Sequence, residues 1–273
     1  VMSKAKALIC PTLYVEPFLG GGALALALPY ELPKILADIN HHLIDCWLCV
    51  QKIPGALFAE LHEVEHAYGN AKDGYLNARR EFNTMVAHPR RMWARRSALF
   101  IYLNARCFNG LWRTNSRGLF NVPFADRKSP RKLEAEDLAV YNHALRCCQL
   151  FSDNFPKLLG GLGSKRNNAA RDHYEGMKTC LMGFAVYADP PYAGTFDGYA
   201  KAGFDDDDQK VLAGLLGWWA AMGAAVWATN ADTPLIRSIY EWAHIEEIDE
   251  HHGIGAKAER RGKHSIHIRY LSY

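Results

Sequence analysis

The sequence has no apolar run that approaches the ~20 residues of a membrane-spanning helix. Its first residues, Val1-Met2-Ser3-Lys4, lack the apolar stretch and small-residue cleavage site of a secretory signal. The seven cysteines are an odd number, which argues against a disulfide framework and for a reducing compartment. These absences predict a cytoplasmic protein.

Two common ligand-binding patterns are missing as well. The triplet Gly20-Gly21-Gly22 does not have the Gly-x-Gly-x-x-Gly spacing of dinucleotide-binding enzymes, which disfavours a nicotinamide-dependent dehydrogenase. Cys46 and Cys49 have metal-ligand spacing, but they fall in a helical apolar pattern, and Cys147-Cys148 is an adjacent pair. We therefore expect buried thiols and no metal site.

Positive charge is concentrated in one part of the chain. Residues 70–132 contain fourteen Lys or Arg and three acidic residues, a net charge of +11. Because the whole chain has a formal net charge of +3, the remainder carries −8. A basic segment within an acidic remainder is typical of proteins that bind the phosphate groups of nucleic acids.

The hydrophobic pattern predicts an α/β fold with a doubly wound, mostly parallel, Rossmann-like sheet. Seven apolar runs are interpreted as strands, one beginning at Leu13 and the others at 35–40, 148–151, 184–188, 224–230, 245–248 and 265–270. The strand–helix alternation stops at residues 53–133, where helices at 57–68, 73–87 and 91–106 precede an aromatic-rich segment. We expect one domain of residues 1–52 and 134–273, and an inserted helical and β-hairpin domain of residues 53–133.

The strand at 184–188 leads into Asp189-Pro190-Pro191-Tyr192. Two prolines cannot continue a sheet ladder and they restrict the backbone, so the Asp189 carboxylate, the carbonyl after it and the Tyr192 ring form a nearly rigid array. Ligands bind to α/β sheets at the carboxyl ends of the strands. The segment is therefore the central candidate for a functional site.

Other strand ends carry glycines and carboxylates. The first strand leads through Glu16-Pro17-Phe18 into the glycine triplet and a helix, where glycines let the backbone approach a ligand closely. Asp38, at the end of the second strand, suits hydrogen bonding to ribose hydroxyls, and an N-cap of the helix at 41–51 is an equally good interpretation. Asp153 follows the third strand, so three carboxylates and one glycine loop are expected at one edge of the sheet.

Residues 107–124 contain two short aromatic-rich runs around Asn115-Ser116-Arg117-Gly118, a pattern typical of a β-hairpin. Aromatic side chains interleaved with Arg113 and Arg117 are suited to wedging into a base stack and reading base edges. A hairpin with ordinary core aromatics is the alternative. The charge of the surrounding segment favours a contact with DNA.

Together these motifs resemble the DNA adenine-N6 methyltransferases of the Dam type. The resemblance covers nearly the whole chain, and the order of glycine loop, insertion and Asp-Pro-Pro-Tyr is specific to one class of these enzymes. Family members usually carry a Gly-Gly-Lys or Gly-Ser-Lys turn well before the first strand, where this chain has only Met2-Ser3-Lys4. The matching segments are 14–18 with 20–22, 37–40, 102–104, 108–111, Arg113 with Asn115, Gly118 with 120–123, and 189–192.

The resemblance implies a catalytic domain that uses S-adenosylmethionine and an insertion that recognises double-stranded DNA. The implied cofactor contacts are Glu16, Pro17, Phe18, Gly20, Gly21 and Gly22, with Asp38 at the ribose, Asp153 or Phe155 at the adenine, and Asp189. Phe108 would intrude into the base stack, with Asn109, Leu111 and Arg113 near base edges. The other implied DNA contacts are Lys4, Arg91, Arg95, Asn115 and Arg117. A GATC-like target, a restriction–modification context, a bacterial or phage-infected cell and a monomer or weak dimer are expected.

The chemistry of the Asp-Pro-Pro-Tyr segment follows from its target. An exocyclic amino nitrogen is a poor nucleophile, because its lone pair is delocalised into the ring. If Asp189 and the Pro190 carbonyl accept its hydrogens while Tyr192 stacks on the extruded base, the nitrogen shifts towards tetrahedral geometry. Alignment and electrostatics, without a covalent intermediate, then suffice for methyl transfer.

Three other functions are weaker interpretations of the same residues. Cytosine-N4 methylation usually accompanies Ser rather than Asp before the two prolines, and glutamine or RNA methyltransferases more often have Asn there. A DNA-binding relative with impaired catalysis is the third alternative.

Overall fold

The structure is a computed structural model of the chain that describes residues 11–85, 93–162, 183–194, 204–248 and 265–270. Its strands are β1 (Leu13–Glu16), β2 (Lys34–Asp38), β3 (Cys148–Ser152), β4 (Phe184–Ala188), β5 (Ala225–Ala231), β6 (His244–Ile248) and β7 (Ser265–Tyr270). Its helices are α1 (Ala23–Ala27), α2 (His41–Lys52), α3 (Pro54–Tyr68), α4 (Lys72–Met85), α5 (Trp93–Arg106), α6 (Ala135–Ala144), α7 (Phe155–Leu162), α8 (Asp206–Ala221) and α9 (Pro234–Ile239). All seven strands expected from the sequence are confirmed.

The seven strands form one sheet in the order β3-β2-β1-β4-β5-β7-β6. The first five are parallel neighbours, whereas β7 pairs antiparallel with both β5 and β6. The mostly parallel, doubly wound sheet is therefore confirmed. Parallel strands in α/β sheets are covered on both faces, and all four residues of β1 are buried accordingly, including Glu16.

The chain divides into two compact units. The first contains residues 1–39 and the part of the chain from Cys147 onwards that carries the rest of the sheet, and the second contains Asn40–Arg146. The core of the first unit joins the strands, at Val15 and Val186 for example, to Leu212 and Trp219 of α8.

The second unit is larger than the predicted insertion at 53–133. Helices α2 and α6 belong to it, because α2 packs on α5 and α6. Its core is aromatic: Tyr75, Phe82 and Tyr102 are buried, and the rings of Trp112 and Phe120 stack with centroids 5.0 Å apart. The assignment of catalysis and DNA recognition to different domains stays a prediction.

The helix that follows β2 shows whether Asp38 is its N-cap. Its N-cap is Asn40, whose Oδ1 accepts hydrogen bonds from the backbone N–H groups of His42 at 3.2 Å and Leu43 at 3.4 Å. The N-cap interpretation of Asp38 is therefore wrong, and its carboxylate bonds elsewhere.

The cysteines of α2 are structural. Cys46 donates a hydrogen bond of 3.7 Å to the carbonyl of Ser97, and the Ser97 hydroxyl donates one of 3.3 Å to Cys49 Sγ. Both thiols are buried, as expected. Cys148 is buried as well, whereas Cys147 is exposed, so the expectation of a buried thiol is wrong for Cys147. Among the residues that the structure describes, no cluster of three or more His, Cys, Asp or Glu has the arrangement of a metal site. Across the same residues, no helix combines the length and apolar character needed to cross a membrane.

Candidate active site

The candidate active site is at the carboxyl ends of β1 and β4, which are parallel neighbours in the sheet. The register pairs Val15 with Val186, so β1 ends at Glu16 and β4 leads into Asp189 at the same edge. The strand order changes direction at this point: β2 and β3 lie on one side of β1, whereas β4 and β5 lie on the other side. Crevices at such reversals are where open α/β sheets bind ligands.

Glu16 is a buried carboxyl group at this edge, with 3% of its surface exposed. The Tyr14 hydroxyl donates a hydrogen bond of 2.7 Å to Glu16 Oε2. Burial raises the pKa of Glu16 from 4.5 to about 7; the bond from Tyr14 opposes this shift and the negative charge of Asp189 adds to it. The structure therefore brings these two predicted site residues into electrostatic contact.

The glycine loop after β1 presents open backbone. Gly20 and Gly22 have φ values of 48° and 66°, in the left-handed region that glycine adopts without strain. The backbone N–H of Gly20 donates a hydrogen bond of 3.0 Å to Asp38 Oδ2. A Cβ atom added at Gly20 or Gly21 would meet no other atom within 4 Å, so space above the loop is available to a ligand.

Two further carboxylates lie at the neighbouring strand ends, as expected. Asp38 of β2 pairs in register with Ser152 of β3, and Asp153 follows directly. Asp153 forms a salt bridge of 2.7 Å with Lys157 Nζ on α7, which partly neutralises its charge. Asp38 is therefore bonded to the glycine loop, whereas Asp153 is bonded to a surface lysine.

Three phenylalanine rings form a cluster in the same unit. The centroids of Phe18 and Phe155 are 5.4 Å apart, and Phe204 lies 5.7 Å from Phe18 and 5.4 Å from Phe155. Phe18 and Phe155 were expected at the cofactor, and they are brought together. Phe204 was missed, because it stands in a loop with no motif around it.

The Asp-Pro-Pro-Tyr segment follows β4 with Asp189 exposed, Pro190 buried and Tyr192 half-buried. The Thr229 hydroxyl on β5 donates a hydrogen bond to Asp189 Oδ1. The Tyr187 hydroxyl interacts with both Thr229 and Asp189. Sequence reasoning missed Thr229, whose only signal is its position at the polar end of an apolar run.

In the second unit, Phe108 is the first residue of an exposed turn. Its ring is 44% exposed, and Asn109 after it has φ 53°, which is uncommon for a residue other than glycine. Two hydrogen bonds stabilise the turn. Phe108 N donates to the Pro123 carbonyl at 2.9 Å, and Asn104 Nδ2 donates to the Gly110 carbonyl at 2.8 Å. An exposed aromatic ring on a fixed, strained turn suits an intercalating role.

The predicted hairpin consists of two isolated antiparallel bridges, Thr114 with Phe120 and Cys107 with Phe124, rather than two strands. Asn115 stabilises its turn, because its Oδ1 accepts hydrogen bonds from the backbone N–H groups of Arg117 at 2.9 Å and Leu119 at 3.1 Å. Arg113 and Arg117 are exposed, and Arg113 Nε donates a hydrogen bond of 2.9 Å to Asn121 Oδ1. Leu111 is half-buried beside them.

The arginines of α5 have an internal role that the sequence did not indicate. Arg95 binds Glu81 with two hydrogen bonds of 2.9 and 3.2 Å and lies 3.4 Å from Glu60, and it is 18% exposed. Arg96 pairs with Asp45, and the buried Arg106 pairs with Glu65. The predicted phosphate contact of Arg95 is therefore not favoured, since its guanidinium is held by two carboxylates.

The exposed positive charge of the second unit lies elsewhere. Residues 40–146 contain sixteen Lys or Arg and ten Asp or Glu, a net charge of +6, so acids outside 70–132 offset part of the +11. The exposed cations among its described residues are Lys52, Lys72, Arg80, Arg113, Arg117, Arg127, Lys128, Arg131, Lys132 and Arg146. The predicted DNA contacts Lys4 and Arg91 lie outside the described residues.

The family model of the D12 class N6 adenine-specific DNA methyltransferases matches residues 10–160 and 178–254. The chain belongs to this family. The Retron Ec67 DNA adenine methylase of Escherichia coli is 33% identical over 229 residues, which cover 83% of this chain and 71% of the relative. The DNA adenine methylase of Serratia marcescens is 33% identical, with coverage of 84% and 78%. The Type II methyltransferase M.MjaIII of Methanocaldococcus jannaschii is 28% identical, with coverage of 95% and 88%.

As a D12 class methyltransferase, the chain methylates adenine in DNA, which confirms the predicted family, reaction and enzyme class. Its substrate is DNA, and the reaction requires a methyl donor. Cytosine-N4 methylation and a purely DNA-binding role are not favoured by this membership. The two units thus supply a D12 class enzyme with a carboxylate-rich strand edge and a basic hairpin.

Proposed function

We propose that this D12 class enzyme uses S-adenosylmethionine as methyl donor, with the glycine loop, Asp38 and the Phe18–Phe155 pair as its binding site. Four features support the fit: the open backbone at Gly20 and Gly21, the carboxylate of Asp38 bonded to that loop, two adjacent aromatic rings and the neighbouring Glu16. When bound, this cofactor supplies an electrophilic methyl group on a sulfonium centre. Within the protein, Asp38 would accept hydrogen bonds from ribose hydroxyls.

The residues of the Asp-Pro-Pro-Tyr segment would act on the target base. Asp189 and the Pro190 carbonyl accept the two hydrogens of the adenine amino group, which directs its lone pair out of the ring plane. Tyr192 stacks on the base after it has left the duplex. Asp189 then accepts the proton that the methylated nitrogen releases, so alignment and charge stabilisation account for the chemistry.

The observation that carries this proposal is the position of Asp189. It follows a strand that is the parallel neighbour of β1, and its charge raises the pKa of Glu16 at the start of the glycine loop. A methyl acceptor held by Asp189 would therefore be close to a donor held by that loop.

Residues 53–133 would recognise the DNA. The exposed Phe108 enters the base stack, and Arg113, whose Nε end is fixed by Asn121, reads a guanine edge in the major groove, a contact worth about 1 to 3 kcal/mol of discrimination. Asn109 and Leu111 contribute neighbouring contacts, Asn115 shapes the turn, and Arg117 binds phosphate. Lys4 and Arg91 remain proposed contacts on the family resemblance alone.

Several finer features stay predictions. They are the GATC-like target, the restriction–modification context, the monomeric or weakly dimeric state, the cytoplasmic location and the functional division at 53–133.

The decisive experiment incubates the protein with radiolabelled S-adenosylmethionine and mixed-sequence duplex DNA, digests the product and identifies the labelled nucleoside. We expect N6-methyladenine. Asp189→Ala should abolish transfer while cofactor binding, measured by calorimetry, is retained, with Glu241→Ala as a control at an exposed carboxylate that has no assigned role. Retained activity in Asp189→Ala would refute the assigned catalytic role.

A further inference from the structure

The Asp-Pro-Pro-Tyr segment is anchored to the fold at three points. Two of its residues are prolines and have no backbone N–H, so the segment has few donors with which to bond the sheet. The prolines restrict its internal shape, but they do not determine where it lies relative to β4. Side chains of neighbouring elements contribute to that position.

The first anchor is Thr229. Strands β4 and β5 are parallel, with Ala188 paired to Ala228, so Thr229 lies directly beside Asp189. Its hydroxyl donates to Asp189 Oδ1, and its residue is 7% exposed. This bond orients the exposed carboxylate.

The second and third anchors are two buried amides that bond each other. Asn230 Oδ1 accepts a hydrogen bond of 2.9 Å from Ala193 N, and Gln209 Nε2 donates one of 2.9 Å to the Pro191 carbonyl. Asn230 Nδ2 in turn donates to Gln209 Oε1 at 2.9 Å. Asn230 and Gln209 are 0% and 1% exposed.

Buried amides are costly unless their hydrogen bonds are satisfied, and a satisfied network specifies one geometry. Here the network bonds the segment on both sides of Tyr192, at the Pro191 carbonyl and at Ala193 N. Its members come from β5 and α8, far from the segment in sequence. These hydrogen bonds therefore favour one position of the segment relative to the sheet.

We propose that Thr229, Asn230 and Gln209 are positioning residues for methyl transfer, which hold the Asp189 carboxylate and the backbone on either side of Tyr192 in the reactive geometry. This rests on the proposed function of residues 189–192. None of the three residues needs to touch the base or the methyl donor. Misplacement of reacting groups by a fraction of their contact distance slows the chemical step, whereas it leaves the rest of the binding surface intact.

The test compares Thr229→Val, which keeps the shape and removes the hydroxyl, with Thr229→Ser, which keeps the hydroxyl. We expect Thr229→Val to lower kcat about 10- to 100-fold, with the dissociation constants for S-adenosylmethionine and DNA unchanged, and Thr229→Ser to restore most of the rate. The matched control is Thr12→Val. It removes a hydroxyl hydrogen bond of 3.2 Å to the Gly183 carbonyl, at the amino ends of β1 and β4. It should keep its kcat.

A second variant, Gln209→Met, removes the donor to the Pro191 carbonyl at nearly constant volume. We expect the same loss of kcat with cofactor binding retained; if this variant does not fold, the Thr229 pair decides. Wild-type kcat in Thr229→Val, or equal losses in Thr229→Val and Thr229→Ser, would overturn the positioning role. Wild-type kcat in Asp189→Asn would instead overturn the proposed function itself, so the two failures are distinguishable.

Discussion

The backbone N–H of Gly20 donates a hydrogen bond of 3.0 Å to Oδ2 of Asp38, which joins the glycine loop after β1 to the end of β2. The bond connects two strands that are parallel neighbours in the sheet, so this carboxylate restrains the loop. Two backbone hydrogen bonds of 2.8 Å restrain the same loop, from Leu19 N to the Ala37 carbonyl and from Gly22 N to the Leu19 carbonyl.

We expect Asp38→Ala to weaken the binding of S-adenosylmethionine about tenfold or more, because a charge-assisted hydrogen bond contributes roughly 1.5 to 3 kcal/mol. Calorimetry on the DNA-free protein measures the effect. Asp38→Asn, which keeps an acceptor for Gly20, should lose less affinity than Asp38→Ala. Equal losses in the two variants would show that the loop bond does not contribute.

The buried Glu16 predicts a pH dependence of stability. Folding raises its pKa from 4.5 to about 7, so its contribution to the free energy of unfolding is fully present below pH 4.5 and is lost as the pH rises through 7. Glu16→Gln imitates the protonated form and should be more stable than the wild type at pH 8.5, by up to about 3 kcal/mol. Urea unfolding at pH 5.5 and 8.5 measures the difference, which should shrink at the lower pH. An advantage that is the same at both pH values would contradict the assigned pKa.

Phe108 is expected to contribute to catalysis and little to stability. Its ring is 44% exposed, so Phe108→Ala should leave the unfolding midpoint nearly unchanged. The rate of methylation on paired duplex should fall, and a mismatch opposite the target adenine should restore it, since a mismatched base costs less to extrude. Phe120→Ala is the contrasting variant: Phe120 is 2% exposed, and its loss should cost about 3 to 5 kcal/mol of stability. No rescue by the mismatch would argue against an intercalating role.

Arg113 and Arg117 should differ in what they contribute to DNA binding. Arg113→Ala removes the guanidinium that Asn121 orients and should reduce discrimination at one base pair by about 1 to 3 kcal/mol. Arg117→Ala should weaken binding to all sequences and lower the salt dependence by about one counterion. Methylation measured on a set of single-substitution duplexes at two salt concentrations separates the effects. If both variants lost methylation equally on all duplexes, Arg113 would not contribute to sequence discrimination.

Arg95 should behave as a stabilising residue of the helical unit. Its guanidinium bonds Glu81 and Glu60, so Arg95→Ala should cost about 1 to 3 kcal/mol of stability. Folded Arg95→Ala should bind DNA with nearly wild-type affinity. Lys128→Ala, at an exposed position, should show the opposite pattern. Thermal unfolding and a salt titration of DNA binding measure both properties, and a DNA-binding loss in Arg95→Ala without a stability loss would contradict this assignment.

Much of the first unit was predictable from local pattern. Strands such as Phe184–Ala188 are short apolar runs bounded by prolines and glycines, and this local chemistry identifies a buried strand without knowledge of its partners. The order of glycine loop, insertion and Asp-Pro-Pro-Tyr is also a property of the chain alone. Since parallel strands expose their carboxyl ends at one edge, the meeting of Glu16, Asp38, Asp153 and Asp189 followed from the order of the elements.

The charge pattern was informative only in part. Counting residues 70–132 located the basic segment, but it did not separate surface cations from those inside the helical unit. Arg95, Arg96 and Arg106 occupy positions of α5 that face carboxylates of other helices, among them Asp45 and Glu65. A count along the chain cannot detect such pairs, because the partners are 14 to 51 residues apart.

By itself the sequence determined the element types, the strand-end motifs and, through two consecutive prolines, the restricted backbone of residues 189–192. Only the tertiary structure decided the ionisation of Glu16, the bond of Asp38 to the glycine loop instead of a helix cap, and the anchoring of the segment by Thr229, Asn230 and Gln209. The physical reason is that backbone preference acts between adjacent residues, whereas burial and hydrogen-bond partners depend on residues that only folding brings together.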